Sequence, residues 1–181
     1  MTTQPEMKYP YRSVDWAIFK FMDILDADKP THVYLRRFIV AKTPWVGLYV
    51  HWIFTKDEDR DPHNHPFNFW SLVLKGGYEE RRYWLVNEGT PVAARGSTTR
   101  IRKRFSVART TRTYFHRIVA LHGSPTVTVI LTGKRSQWGF LTEHGYVPQE
   151  EYVREKEKRW AADLAAQGET LMRAEGRKTD G

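Results

Sequence analysis

The chain has 181 residues, 40% of them apolar and 14% aromatic, which is enough for a core and rules out disorder over most of its length. It contains no cysteine, which excludes disulfides, a cysteine-based zinc site and a thiol nucleophile. Its formal net charge of +8 falls on one stretch: Arg95 to Arg117 holds eight basic residues and no acidic one, while the remaining Lys and Arg are balanced by Asp and Glu.

Such a concentrated field points to an anionic partner, or to a solvated basic face. Mean hydropathy is −0.62, and no apolar run approaches the ~18 residues of a membrane span. The N-terminus lacks the basic-then-apolar layout of a secretory signal. The expectation is a soluble, cytoplasmic protein without a membrane partner.

In chain order, residues 14–25 place Val14, Ala17, Ile18, Phe21, Ile24 and Leu25 at i, i+3, i+4 spacing behind Ser13, a plausible N-cap, and before the Lys29-Pro30 stop. This spacing predicts an N-terminal helical extension within 1–32. From residue 33 the pattern changes to short runs rich in β-branched and aromatic residues: VYLRRFIV, WVGLYVHWIF, FNFWSLVL and YEERRYWLV. Arg100–Val107, Tyr114–Leu121, Thr126–Leu131 and Gln137–Leu141 continue it, with turn signals at Gly76-Gly77, Gly123-Ser124-Pro125 and Gly133.

About eight strands at this spacing predict an all-β sandwich or barrel over 33–147. The run Val46 to Phe54 is apolar on both parities, so that strand is expected to be covered on both faces. Trp45, Trp52, Trp70, Trp84 and Trp138 are read as core. The segment 148–181 reads as a C-terminal helix, with Tyr152, Trp160 and Leu164 as a thin apolar stripe, followed by a polar tail.

Of the seven histidines, the pair His63-Asn64-His65 matters most. In an extended strand residues i and i+2 face one way, and Pro66 disfavours helix for His65, so both imidazoles share a side. Two imidazoles are half a metal site and need a third ligand from elsewhere. His51 reads as a hydrogen-bonded core histidine, and His122 and His144 as surface residues.

The stretch DPHNHPFNFWSLVLKGGYEE resembles the first motif of the cupin superfamily, a His-x-His followed by a Glu and a closing Gly. His63 and His65 match, and Gly76 or Gly77 takes the place of the closing turn. TYFHRIVAL, with His116, is similar to the strand that supplies the family's later histidine. The chain also looks like short bacterial and phage cupin-like proteins with an HxHP stretch and a GGY turn.

The family's Glu would fall at Phe69 or Trp70, and its preceding Gly at Asp57. The resemblance implies a double-stranded β-helix (jelly-roll) barrel flanked by helices. It also implies a single divalent transition metal, iron, zinc, manganese or nickel, held by His63, His65 and His116. Some cupins, the thiol dioxygenases among them, hold iron with three histidines alone.

Three neutral imidazoles leave the charge of such an ion uncompensated, which attracts an anionic substrate. Arg100, Arg102 and Arg104 share one parity of the expected strand. They would clamp a carboxylate or phosphate if that face lines the barrel mouth, and form a basic stripe if it faces outward. Tyr78, a further candidate for substrate binding, lies on the next strand with Glu80, which reads as a general base or substitute ligand, or as a solvent-facing charge paired with Arg81 or Arg82.

Three functions therefore stand at this stage. One is a metal-dependent enzyme of dioxygenase, isomerase or lyase type acting on a small anion. The second is a non-catalytic cupin module binding a small molecule or nucleotide. The third is nucleic-acid binding through Arg95–Arg117. A homodimer is open, with Trp160 a candidate contact.

Overall fold

The segment with helical spacing turns out to be extended. The computed structural model describes residues 7–8, 11–16, 19–25, 32–57, 61–85, 94–159 and 161–162. Met7–Lys8 (β1), Tyr11–Trp16 (β2) and Phe19–Leu25 (β3) are strands, so the helix expected over 14–25 is corrected.

The reason lies in the partner strand, Val33–Lys42 (β4). β3 pairs with it in register, Asp23 opposite Arg36 and Ile24 opposite Leu35. Asp23 is fully buried and accepts two hydrogen bonds from the Arg36 guanidinium, at 2.7 and 3.0 Å. A forked ion pair to a buried carboxylate on the adjacent strand, with Ile24 and Leu35 buried beside it, is open only to extended chain. It overrides the helical spacing.

The remaining strands are Gly47–Ile53 (β5), Phe69–Lys75 (β6), Tyr78–Leu85 (β7), Ala94–Arg102 (β8), Val107–Thr110 (β9), Phe115–Leu121 (β10), Thr126–Thr132 (β11), Gly139–Thr142 (β12) and Gly145–Pro148 (β13). Among the described residues one short helix, α1, covers 149–159, and 161–162 are helical too. One sheet runs β1-β2-β3-β4-β5-β11-β6-β9, and a second runs β10-β7-β8. The hairpin β12-β13 joins the second sheet through residue 63, whose backbone bridges both His116 in β10 and Phe140 in β12.

All of these pairings are antiparallel, so the fold is an antiparallel β-sandwich with one short C-terminal helix. Ile24, Tyr34, Leu35, Ile53 and Val73 of the first sheet meet Tyr78 and Ile118 of the second, and this cluster closes one end.

Strand register orders the interior into levels. Leu35 lies opposite Ile53, then Arg37 opposite His51, then Ile39 opposite Tyr49. β11 continues the last two levels with Thr128 and Ile130, and adds Thr132 opposite Gly47 at the open end.

The β6–β7 turn is where glycine is required. Gly76 has φ +72°, and a Cβ there would come within 2.6 Å of the Thr126 hydroxyl. That hydroxyl is fully buried and sits 2.9 Å from the carbonyl oxygens of Gly77 and Gly123.

Three further expectations change. The strand predicted over Arg100–Val107 ends at Arg102; residues 103–106 turn, with Phe105 at φ 65°, and β9 follows. Trp45, Trp70 and Trp84 are 67, 51 and 49% exposed and are not core. On β5, Tyr49 and Ile53 are buried while Leu48, Val50 and Trp52 on the opposite face are half-buried, so one face is covered fully and the other in part. Trp160 and Leu164 lie outside the described residues.

Candidate metal centre

His63, His65 and His116 each offer a ring nitrogen, and these nitrogens lie within 4.8 Å of one another. Their convergence follows from local backbone chemistry. The backbone N–H of His63 donates to His116 O, and that of His116 to His63 O, both at 2.9 Å, so two imidazoles sit on directly paired residues. Asn64 points the other way, as strand alternation demands. Its side-chain amide donates to Arg112 O at 2.9 Å, and its Oδ1 accepts the Gly139 N–H at 2.8 Å. The middle residue of His-Asn-His thus ties the histidine segment to β12 and to the turn before β10.

The position where the family's glutamate would fall resolves to Phe69 inward, 9% exposed, and Trp70 outward. The Phe69 ring packs edge-on to His65 at 4.8 Å. An aromatic wall stands where a carboxylate ligand would be, and the donor set is three imidazoles.

The Nε2 atoms of His65 and His116 are 2.7 Å apart. Two imidazole lone pairs at that distance need a proton or a cation between them. Burial, followed by the neighbouring His116 and His63, pushes the His65 pKa well below 6.5 and keeps it in the neutral form that ligates metals. The residues present fit a divalent transition metal.

Behind His116 stands Glu80, 2% exposed, with Oε2 3.4 Å from Nδ1. That is an ion-pair distance rather than a good hydrogen bond. Its Oε1 accepts from Arg82 Nε at 2.8 Å and from Arg102 Nη2 at 2.7 Å. Burial raises the Glu80 pKa, but His116, Arg102 and Arg82 together outweigh that and hold it at about 2. Glu80 does not line the cavity, and its contact is with the ring nitrogen of His116 opposite the one facing His65. The residue expected as a general base thus sits behind His116, paired with Arg82 and Arg102, and does not face the cavity.

The histidines lie on the wall of a cavity of ≈ 410 Å³ that opens at the Gly47 end of the sandwich. Tyr78 lines it, buried, its pKa pushed up to about 12 by burial and then by Glu80. Of the three arginines expected to bind substrate, none lines it. Arg100 is exposed on β8, Arg102 is committed to Glu80, and Arg104 sits in the turn, donating to Leu74 O at 3.1 Å. Once β8 ends at Arg102, their shared parity is lost.

The cations that do line the cavity are Arg37, Lys42, Arg135 and Lys156, drawn from β4, the loop before β12 and α1. Arg37 Nε donates to His51 Nε2 at 2.9 Å, and its guanidinium lies 5.3 Å from the Tyr49 ring centroid. His51 is thus hydrogen-bonded as expected and also faces the cavity. Burial and the Arg37 charge push its pKa well below 6.5. Sequence reasoning missed this set because the cations are isolated in four places. It also missed Asp57, a buried carboxylate in the same wall.

No family model and no curated protein matches the chain. Solved structures similar to it include a cupin-2 domain from Rhodospirillum rubrum, at 10% identity over 79% of this chain and 86% of that one, TM-score 0.49. Another is hydroxypropylphosphonic acid epoxidase from S. wedmorenis, at 12% identity and TM-score 0.42; 72% of this chain matches 59% of that one, so the chain spans about three-fifths of the epoxidase. A third is a putative mannose-6-phosphate isomerase from Ralstonia eutropha, at 12% identity over 53% of this chain and 81% of that one, TM-score 0.39. At such identities no residue role passes from them to this chain.

Proposed function

We propose that this chain is a metal-dependent enzyme of cupin type, a double-stranded β-helix barrel acting on a small anionic substrate. The observation that carries the reading is three convergent imidazoles on the wall of a cavity that also carries Arg37, Lys42, Arg135 and Lys156. Iron, zinc, manganese and nickel all suit three imidazoles. When bound, the ion would supply Lewis-acid or redox chemistry of dioxygenase, isomerase or lyase type.

The chain's own part is definable. Glu80 behind Nδ1 orients His116 so that Nε2 is presented to the centre. Phe67, Phe69, Trp138 and Phe140 keep the surroundings apolar, which strengthens every charge interaction inside. The four cations draw in and hold the anion, and Tyr78 stays a neutral phenol able to donate a hydrogen bond.

The test is metal content of untagged protein, for the wild type and for His63→Ala, His65→Ala and His116→Ala. The expected result is about one transition metal per chain, lost in all three variants while their circular dichroism is retained. A wild type that stays metal-free after anaerobic reconstitution would sink the enzyme reading. Phe69 in place of a carboxylate favours, in that case, a non-catalytic module that binds a small molecule in the same cavity.

A further inference from the structure

One group in the cavity wall has no part in the centre so far described. Asp57 is 2% exposed, and its backbone N–H donates to Ile118 O at 2.8 Å. Its Oδ2 accepts the Ile118 N–H, also at 2.8 Å. These two bonds fix the carboxylate against β10. The other oxygen, Oδ1, is buried with no hydrogen-bond partner among the described residues. Among the described residues lining the cavity, Asp57 is also the only acidic one. A desolvated carboxylate oxygen with no donor is unfavourable unless something in the cavity supplies one.

The register places Asp57 relative to the centre. Ile118 is two residues along β10 from His116, so the carboxylate lies about 7 Å further in than the histidines. Its partner Ile118 belongs to one buried cluster with Ile24, Leu35 and Ile53, all of which line the cavity. From the closed end outward the cavity therefore presents one carboxylate, then the histidines with Arg37, then the Tyr49–Ile130 level, then Lys42, Arg135 and Lys156 near the mouth. Opposite charges stand at its two ends with apolar wall between them.

We propose that Asp57 is the subsite for a hydrogen-bond donor, an ammonium or hydroxyl group, at one end of a small molecule whose other end is anionic and turned toward the cations. The ligand class is a short ω-amino or ω-hydroxy acid with an apolar middle, rather than a sugar or a nucleotide. This rests on the reading of the cavity as a ligand site.

Calorimetric titration of the full chain with matched acids tests it. The probes are 6-aminohexanoate and 6-hydroxyhexanoate against heptanoate, which puts a methyl where the donor was, together with shorter homologues of each set. One donor-ended series is expected to bind about tenfold or more tightly than its methyl-ended match, and the series that does so says whether the group is ammonium or hydroxyl. Asp57→Asn should abolish the preference. Its melting temperature should be unchanged or higher, because asparagine keeps the bond to Ile118 and an oxygen held for a ligand adds nothing to the fold.

Equal binding within each matched set, a preference that survives Asp57→Asn, or no binding by any of the acids would overturn the proposal. So would a melting temperature that falls in Asp57→Asn, since the carboxylate would then be a structural brace. Metal content, measured alongside, separates the two readings. Normal metal with no donor preference removes Asp57 alone, and a donor preference in metal-free protein leaves the subsite standing without the centre.

Discussion

Glu80 shows how much one side chain can carry in this molecule. Its Oε1 satisfies Arg82 and Arg102, whose side chains are 14 and 17% exposed, and its Oε2 backs His116. Removing the carboxylate strands two shielded guanidiniums. Glu80→Ala is therefore expected to lose about 3–5 kcal/mol of stability in urea unfolding. Glu80→Gln keeps the shape and one acceptor. It should stay folded but weaken metal binding by about 10- to 100-fold, because His116 loses its anionic backing. Metal titration of the Gln variant separates positioning from folding, since a purely structural residue would leave the affinity unchanged.

At the scale of the strands, the Arg37–His51 hydrogen bond joins β4 to β5 inside the cavity and works only while His51 is neutral, because Nε2 must accept. The folded pKa lies below the unfolded value of about 6.5, so the unfolded chain binds the extra proton first. The contribution is complete above about pH 6.5 and fades as pH falls through and below that value. The melting temperature of the wild type should drop on acidification from neutral pH. His51→Gln, which keeps an acceptor for Arg37 and does not titrate, should drop less; equal slopes would remove His51 from the account.

Elements of this kind also mark what a sequence can show. His63 and His65 were legible because alternation within one strand fixes their common side, and His116 because a strand around it resembled a known one. The N-terminal strands were not legible: residues 14–25 happen to carry helical spacing, and what decides against it, Asp23 meeting Arg36, lies on a different strand. Density of charge misled in the same way. Arg100, Arg102 and Arg104 are close in sequence but part at a turn, whereas Arg37, Lys42, Arg135 and Lys156 are far apart and converge only through the fold. Asp57 was read only as a motif position, and its burial came from pairing with β10.

For the whole molecule, the charge is divided into two systems. One is internal, facing the cavity. The other is external, along the β8–β9 edge, where Arg100, Arg104, Arg109 and Arg112 are exposed and Arg104 lies 4.5 Å from the Phe105 ring centroid. An exposed basic set of this kind is expected to set how tightly a polyanion is held. A heparin column should therefore release Arg104→Ala/Arg109→Ala/Arg112→Ala at lower salt than the wild type, with metal content unaltered. Loss of metal in that triple variant would show the two systems to be coupled.

The double bridge of residue 63, to β10 on one side and β12 on the other, has a consequence for how the chain assembles. His65 and His116 are 51 positions apart, and the segments that hold them meet only when the second sheet is complete. Contacts of such sequence separation bear a loop-closure entropy that local ones do not. In an unfolded chain His63 and His65 stand together without His116. The three-histidine group therefore exists only in the folded chain, and any choice it makes among metals would be made there.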